Sequence, residues 1–304
     1  SLCGNTTGNN NVAIGNESLS QNSTGIDNVA IGWNSLVKNT TAQQNTAVGT
    51  MALACNTVGC DNVAIGSRAM CANTTGNLNV SVGRSALRAN TTGKCNTAIG
   101  ALALTTNTTG FYNTGVGYQA LTTEDANGTT TAIGQKALML QNAGTESYNT
   151  AVGYDAGQQV TTGTDNTIVG GLAGDALTTG ALNVAIGKAA LSAEDTGSAN
   201  VAVGHAALTS QNYDGSGYNT AVGHNAGTAV TTGIENTLIG GLAGDALTDA
   251  DYNVAVGYGA LDADTQGSKS TAIGKSALTN QNFTSATDSH NTAVGFHSGL
   301  AVTT

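Results

Sequence analysis

This chain has no proline in 304 residues, only 9% charged residues and 4% aromatics. A globular enzyme of this length carries about 25% charged residues and about 5% proline. Asn, Thr, Ser, Ala and Gly take the place of the missing charge, with Gly at 42. Such a composition would suit disorder, except that Val, Ile and Leu recur at fixed places, so the chain is patterned rather than merely polar. Net charge is −10, the wrong sign for a nucleic-acid partner. There is no run of about 20 apolar residues and no signal-peptide pattern, so the expectation is a segment with no membrane insertion of its own. The five cysteines (Cys3, Cys55, Cys60, Cys71 and Cys95) form no CxxC motif and, being odd in number, no closed disulfide framework. No P-loop, no GxGxxG fingerprint and no Ser-His-Asp arrangement is present, so no enzyme and no cofactor is expected.

What is present is a repeat. Taking the Gly that closes each [VI]-G pair as an anchor gives 17 anchors, from Gly15 to Gly295. Thirteen of the 16 intervals are 17 residues, and the others are 19, 19 and 21. Self-similarity at this period is the mark of a solenoid.

Positions are numbered from the anchor. Position −1 is Val or Ile and −3 is Val or Thr. Position −2 is small except at Ile168 and Leu238. This alternation predicts a strand with one well-filled face and one close-packed face. Asn fills −4 in 15 of 17 coils, a column suited to an amide ladder. The anchor Gly, and a second Gly at +10 (Gly25, Gly59, Gly76, Gly93, Gly110), are expected to need positive φ. Position +4 is Leu or Met in the first eight coils. Five later coils have Gly there (Gly157, Gly174, Gly227, Gly244, Gly299) and an apolar residue at +7 instead. That exchange implies a packed interior.

Seventeen residues leave room for two short strands and two turns, so the prediction is an all-β, two-sheet β-roll. Each coil is expected to bury about three or four large side chains, thin cover against the roughly 1–2 kcal/mol per residue lost in fixing the backbone. Packing of three chains through the uncharged Ala column would supply the rest.

The sequence "NVAIG" at 11–15, 28–32 and 62–66 resembles the head repeats of trimeric autotransporter adhesins, the YadA-like head. "NTAIGALALTTNTTG" at 96–110 is similar to repeats of phage and virus tail fibres and related bacterial surface fibres. The resemblance covers essentially the whole chain, and the 17-residue coil with Leu at +4 favours the fibre branch. It implies a left-handed parallel β-roll, a homotrimer and an adhesive, extracellular role, on a virion tail fibre or a bacterial surface.

Residues 1–123 keep the strict period and carry a net charge of +2 from five bases and three acids. Residues 124–304 carry −12 from four bases and 16 acids, and contain a 70-residue superrepeat, 149–178 recurring at 219–248. Both are expected to form one continuous solenoid, a segment of a longer fibre. The long coils insert at 141–149, 211–219 and 281–291. These loops, with Tyr148, Tyr213, Tyr218 and Phe283, are the candidate contacts for a cell-surface glycan or protein receptor. Trp33, Tyr118, Tyr154 and Tyr258 at +1 are expected to be exposed and able to stack on sugar rings.

Other candidates are weighed against plainer roles. His205 and His224, both at +1, are expected to stack at the surface without a metal. Glu124–Asp125, Glu194–Asp195 and Asp249/Asp251 are expected to be solvated turn residues. Cys55 and Cys71 sit in adjacent columns of adjacent coils and are the candidate disulfide. The sequons at Asn5, Asn22, Asn39, Asn73, Asn90 and Asn107 read as by-products of the NTTG turn. A rival, purely structural role is a stalk or filament without a receptor site. A second rival is ice binding through Thr pairs at +8/+9 (Thr40–Thr41, Thr74–Thr75, Thr91–Thr92).

Overall fold

The fold is a parallel β-solenoid without helices, seen in a computed structural model that describes residues 1–126 and 128–304. The chain divides into two compact units, Ser1–Tyr148 and Asn149–Thr304. The charge boundary at 123/124 falls inside the first.

In the first unit each coil contributes one three-residue strand: β1 (Val12–Ile14), β2 (Val29–Ile31), β3 (Thr46–Val48), β4 (Val63–Ile65), β5 (Val80–Val82), β6 (Thr97–Ile99), β7 (Thr114–Val116) and β8 (Thr131–Ile133). Each pairs in parallel with the next, and like positions align, as in Ala30 with Ala47 and Ile31 with Val48. The second unit repeats this with β9 (Thr150–Val152), β10 (Thr167–Val169), β11 (Val184–Ile186), β12 (Val201–Val203), β13 (Thr220–Val222), β14 (Thr237–Ile239), β15 (Val254–Val256), β17 (Thr271–Ile273) and β19 (Thr292–Val294). A two-residue pair, β16 (Gly267–Ser268) with β18 (Thr287–Asp288), carries the longest insert.

The expected second sheet is not formed. The opposite side of each coil is a series of turns whose amides bond to the next coil, as in Leu19 N to Ser35 O at 3.1 Å and Gln21 N to Val37 O at 3.2 Å. These turns are made by residues in the left-handed region at +2, +4 and −5, for example Glu17, Leu19 and Asp27 at φ of 56°, 49° and 56°. A left-handed residue with a Cβ costs roughly 1–2 kcal/mol, so Gly at +4 relieves strain where the apolar residue moves to +7.

The anchor glycines do take positive φ, 134° at Gly83. The +10 glycines do not; there the reason is space, since a Cβ on Gly25 would stand 2.3 Å from Ala42 O and 2.4 Å from Asn22 Oδ1.

The two strand faces are the reverse of the packing expected. Ala at −2 points inward and is fully buried (Ala30, Ala47, Ala64, Ala98). The β-branched residues at −3 and −1 point outward, with Ile65 and Ile99 each 40% exposed. The core of a coil is therefore small: Ala at −2, Ala or Ser at +3 and one large side chain at +4, from Leu19 to Leu138 by way of Met70. Where +4 is Gly, Val160, Leu177, Val230 and Leu247 at +7 are fully buried instead. Ile168 and Leu238 fill the extra space: a Cβ on Gly244 would stand 2.8 Å from Leu238 Cδ2. One large buried side chain per coil, or two where Ile168 or Leu238 stands at −2, replaces the three or four expected, and three chains cannot pack through an Ala column that each chain already covers.

Two amide columns close the core. At −4, Asn28 donates its backbone N and its Nδ2 to Asn11 Oδ1, at 3.0 and 3.2 Å, and its Nδ2 also to Ala42 O at 2.9 Å. A second ladder runs through +7, where Asn39 Nδ2 reaches Asn22 Oδ1 at 2.7 Å and Ala42 O at 3.1 Å. Asn22, Asn39, Asn73, Asn90 and Asn107 are wholly buried, so these sequons are structural amides, closed to a glycan in the folded chain.

Candidate functional site

The outward strand face is uncharged and β-branched in every coil, and aromatic side chains stand at its ends. Tyr112 precedes β7 by two residues and Tyr118 follows it by two; they are 58% and 46% exposed. Tyr252 and Tyr258 bracket β15 in the same way, and Tyr218 and His224 bracket β13. Trp33 and Tyr154 at +1 are exposed as well, as is Phe296. The +1 column was legible from the sequence. The −5 column was not, although "YNTGVGY" at 112–118, "YNTAVGH" at 218–224 and "YNVAVGY" at 252–258 carry its signal.

Neighbouring side chains at +1 touch. His205 and His224 stack with ring centroids 5.2 Å apart and planes at 11°. Lys275 Nζ lies 5.9 Å from the ring centroids of both Tyr258 and Phe296, a contact worth about 0.5–1 kcal/mol at an exposed site. No pocket opens among the described residues, so this surface is a face and not a cavity.

The three inserts divide the four aromatic residues expected to make contacts. Tyr148 and Tyr218 occupy −5 and are exposed, and the Tyr148 hydroxyl donates to Glu146. Tyr213 and Phe283 are half-buried. A Cβ on Gly267 would stand 2.8 Å from Phe283 Cδ2, which shows how closely that ring lies.

The inserts at 211–219 and 281–291 are held from beneath by carboxylates. Glu124 and Glu194, expected to be solvated, are fully buried, as is Asp264. All three stand at +7, where the Asn ladder runs in earlier coils. Glu194 accepts from Gly197 N at 2.7 Å and from Tyr213 N at 3.3 Å. Asp264 accepts from Gly267 N at 3.0 Å, Phe283 N at 2.9 Å and Gln281 Nε2 at 2.6 Å. The acid thus binds the third residue of the insert in the next coil. Burial pushes the Glu194 carboxyl up, against the pull of its backbone donors.

All five cysteines are free thiols. Cys55 N donates to Cys71 O at 3.0 Å, so the two residues lie side by side. Burial, then the neighbouring Cys55, raises the Cys71 thiol. Threonine at +8 spends its hydroxyl within the fold, Thr40 Oγ1 donating to Thr57 O at 3.1 Å and Thr74 Oγ1 to Thr91 O at 3.0 Å. Only the +9 residue, such as Thr41 or Thr75, is exposed, so each pair offers one free hydroxyl to an ice surface.

No family model matches this chain, and no curated protein matches it in sequence. No group of three or more His, Cys, Asp or Glu that could hold a metal ion occurs among the described residues, and none of them forms a helix long and apolar enough to cross a membrane.

Proposed function

We propose that this chain is a non-enzymatic segment of an extracellular homotrimeric fibre that attaches to a cell surface or polysaccharide. The observation that carries the reading is the inversion of the strand. Most coils turn one large side chain in, two where Ile168 or Leu238 stands at −2, while every coil turns two β-branched side chains out, without a charge among them. Soluble monomers rarely leave so continuous an apolar surface open, and copies of the same chain are the partner whose period matches it. The resemblance to adhesin heads and tail fibres supports the same arrangement, with a left-handed coil. Exposed aromatics at −5 and +1, and the inserts bearing Tyr148 and Tyr218, are the surface left for a sugar.

Sedimentation tests the assembly. The chain is expected to run as a trimer, and Ile65→Lys with Ile99→Lys to reduce it to a monomer; a wild-type monomer of full stability sinks the reading. A glycan array tests attachment. Replacing 141–149, 211–219 and 281–291 by 17-residue turns is expected to remove binding and leave the trimer intact. A wild-type chain with no glycan or receptor binding is a stalk and no adhesin.

A further inference from the structure

The chain carries 19 acids and a net charge of −10, yet none of its residues at +1 is acidic. That column holds Arg84, Lys188 and Lys275, the stacked pair His205 and His224, and the rings described above. In the second unit Lys188, His205 and His224 follow one another in three successive coils, all exposed. Ala206 N bonds Lys188 O at 3.0 Å and Asn225 N bonds His205 O at 2.9 Å. The three therefore stand one above the next at the spacing of neighbouring strands, about 4.8 Å.

Nothing beside the strip answers its charge. In the same coils −1 is Ile186, Val203 and Val222, and +2 is Ala189, Ala206 and Asn225. Ser192, Thr209 and Thr228 stand at +5. The acids of these coils are Glu194 at +7, which is buried, Asp195 at +8, and Asp214 in the insert, which accepts from Thr196 Oγ1 at 2.9 Å. Acids at +2 and +5 return only in the coils beyond, as Asp155, bonded by the Tyr154 hydroxyl, Asp175 and Asp245. Among the described residues only Lys269 forms an ion pair, with Asp288. A position without a side chain and then an exposed tyrosine end the strip on both sides: Gly171 and Tyr154 before it, Gly241 and Tyr258 after it. A Cβ on Gly171 would meet nothing nearer than Tyr154 O at 4.0 Å, and one on Gly241 would stand 3.4 Å from Tyr258 Cδ2. Both steps are open beside a ring.

Protonating both imidazoles sets two like charges on rings whose centroids are 5.2 Å apart, with the Lys188 ammonium on the next coil. An anion laid along the strip offsets that repulsion, so anion binding and proton uptake favour each other. We propose that Lys188, His205 and His224 bind the carboxylate or sulfate groups of an acidic polysaccharide that runs along the +1 column, its sugar rings stacking on Tyr154 and Tyr258. Three cations in file are too few for a nucleic acid, whose affinity grows with the number of phosphates neutralised. The proposal rests on the attachment reading and adds the charge of the ligand. The insert at 211–219 leaves the chain between the two histidines, so strip and insert belong to the same coils.

Titration calorimetry of the full chain with size-matched oligogalacturonate, dextran sulfate and neutral dextran tests this. An acidic probe is expected to bind at least about tenfold more tightly than neutral dextran, the worth of one hydrogen bond to a charged group. Which acidic probe binds better tells carboxylate from sulfate. Affinity is expected to rise as pH falls from about 7.5 to about 5.5, where imidazole gains its charge. Lys188→Gln, and His205→Gln with His224→Gln, are each expected to remove the acidic preference, and the histidine pair its pH dependence as well. Gln135 already occupies +1, and circular dichroism confirms that the variants fold. Neutral dextran bound as tightly as both acidic probes, a preference kept in both variants, or tighter binding of a DNA oligonucleotide overturns the proposal. Glycan binding without acidic preference leaves the attachment reading standing, whereas no binding to any glycan overturns both.

Discussion

Asn73 Nδ2 donates to Asn56 Oδ1 at 2.8 Å, across 17 residues of sequence, and neither side chain touches solvent. Asn90 donates in turn to Asn73 Oδ1 at 2.8 Å, and Asn73 also bonds Gly76 O at 3.0 Å. Replacing Asn73 by Ala therefore leaves the buried Asn56 Oδ1 without its donor, while Asn90 Nδ2 keeps Gly93 O and Gly76 O keeps Asn62 Nδ2. Each buried polar group left unpaired costs about 1–3 kcal/mol. Asn73→Ala is expected to lower stability by at least that amount in urea denaturation, while Thr75→Ala, at the exposed +9 position, changes it by less than about 0.5 kcal/mol.

The anchor glycines give a sharper contrast. A Cβ at Gly83 would lie 2.6 Å from the backbone carbon of Gly100, on a residue whose φ is 134°. Gly144 also has positive φ, 72°, but nothing lies within 4 Å of its Cβ position. Gly144→Ala is expected to cost about 1–2 kcal/mol, the backbone strain alone. Gly83→Ala adds a clash with a neighbouring backbone and is expected to cost more than about 4 kcal/mol, at the exceptional end for one substitution. Melting temperatures of the two variants check the order.

Stability of the second unit should fall as pH rises from about 4.5 toward neutrality. The carboxyls of Asp175, Glu194 and Asp245 are all raised by burial in the folded chain. In that window the folded state binds more protons than the unfolded one, so the free energy of unfolding decreases with pH. Asp288 runs the other way, lowered by its hydrogen bond to Lys269, but that exposed pair contributes little. Glu194→Gln should flatten the profile. A slope unchanged in that variant places the titrating charge elsewhere.

The inserts should loosen when their carboxylate anchor is cut. Asp264 holds Phe283 N at 2.9 Å and Gly267 N at 3.0 Å. Asp264→Ala leaves both amides without that acceptor, and faster hydrogen exchange at 281–291 is expected, with 211–219 unaffected. Exchange unchanged at 281–291 would show that the β16–β18 pairing alone fixes the loop.

Much of this was legible in the letters. The anchors, the Asn ladder at −4, the exchange between +4 and +7 and the His205–His224 stack follow from a strict period, because a period places like residues over one another. The direction of the strand was not. Ala at −2 and Ile at −1 alternate equally well with either one inside, and only closure of the coil chooses. The second ladder was hidden because "NTTG" reads as a turn whether or not its Asn is buried. Glu194 and Asp264 were hidden for a related reason: an acid beside a turn looks solvated until the insert of the following coil covers it. Tyr112 and Tyr252 escaped notice because −5 is variable elsewhere, holding Asp27, Gln44 or Cys95.

Both amide ladders point the same way. At −4 and at +7 alike, the amide nitrogen of each coil reaches back to the oxygen of the coil before, as in Asn28 to Asn11 and Asn39 to Asn22. A coil is thus a bead with a plug on one side and a socket on the other, and every bead in the ladder carries the same fittings. Duplicating or deleting whole beads leaves no fitting unmatched, whereas reversing one leaves two. For such a chain, copy number is the property a gene can edit most freely, and the surface inserts ride along at whatever spacing the edits set.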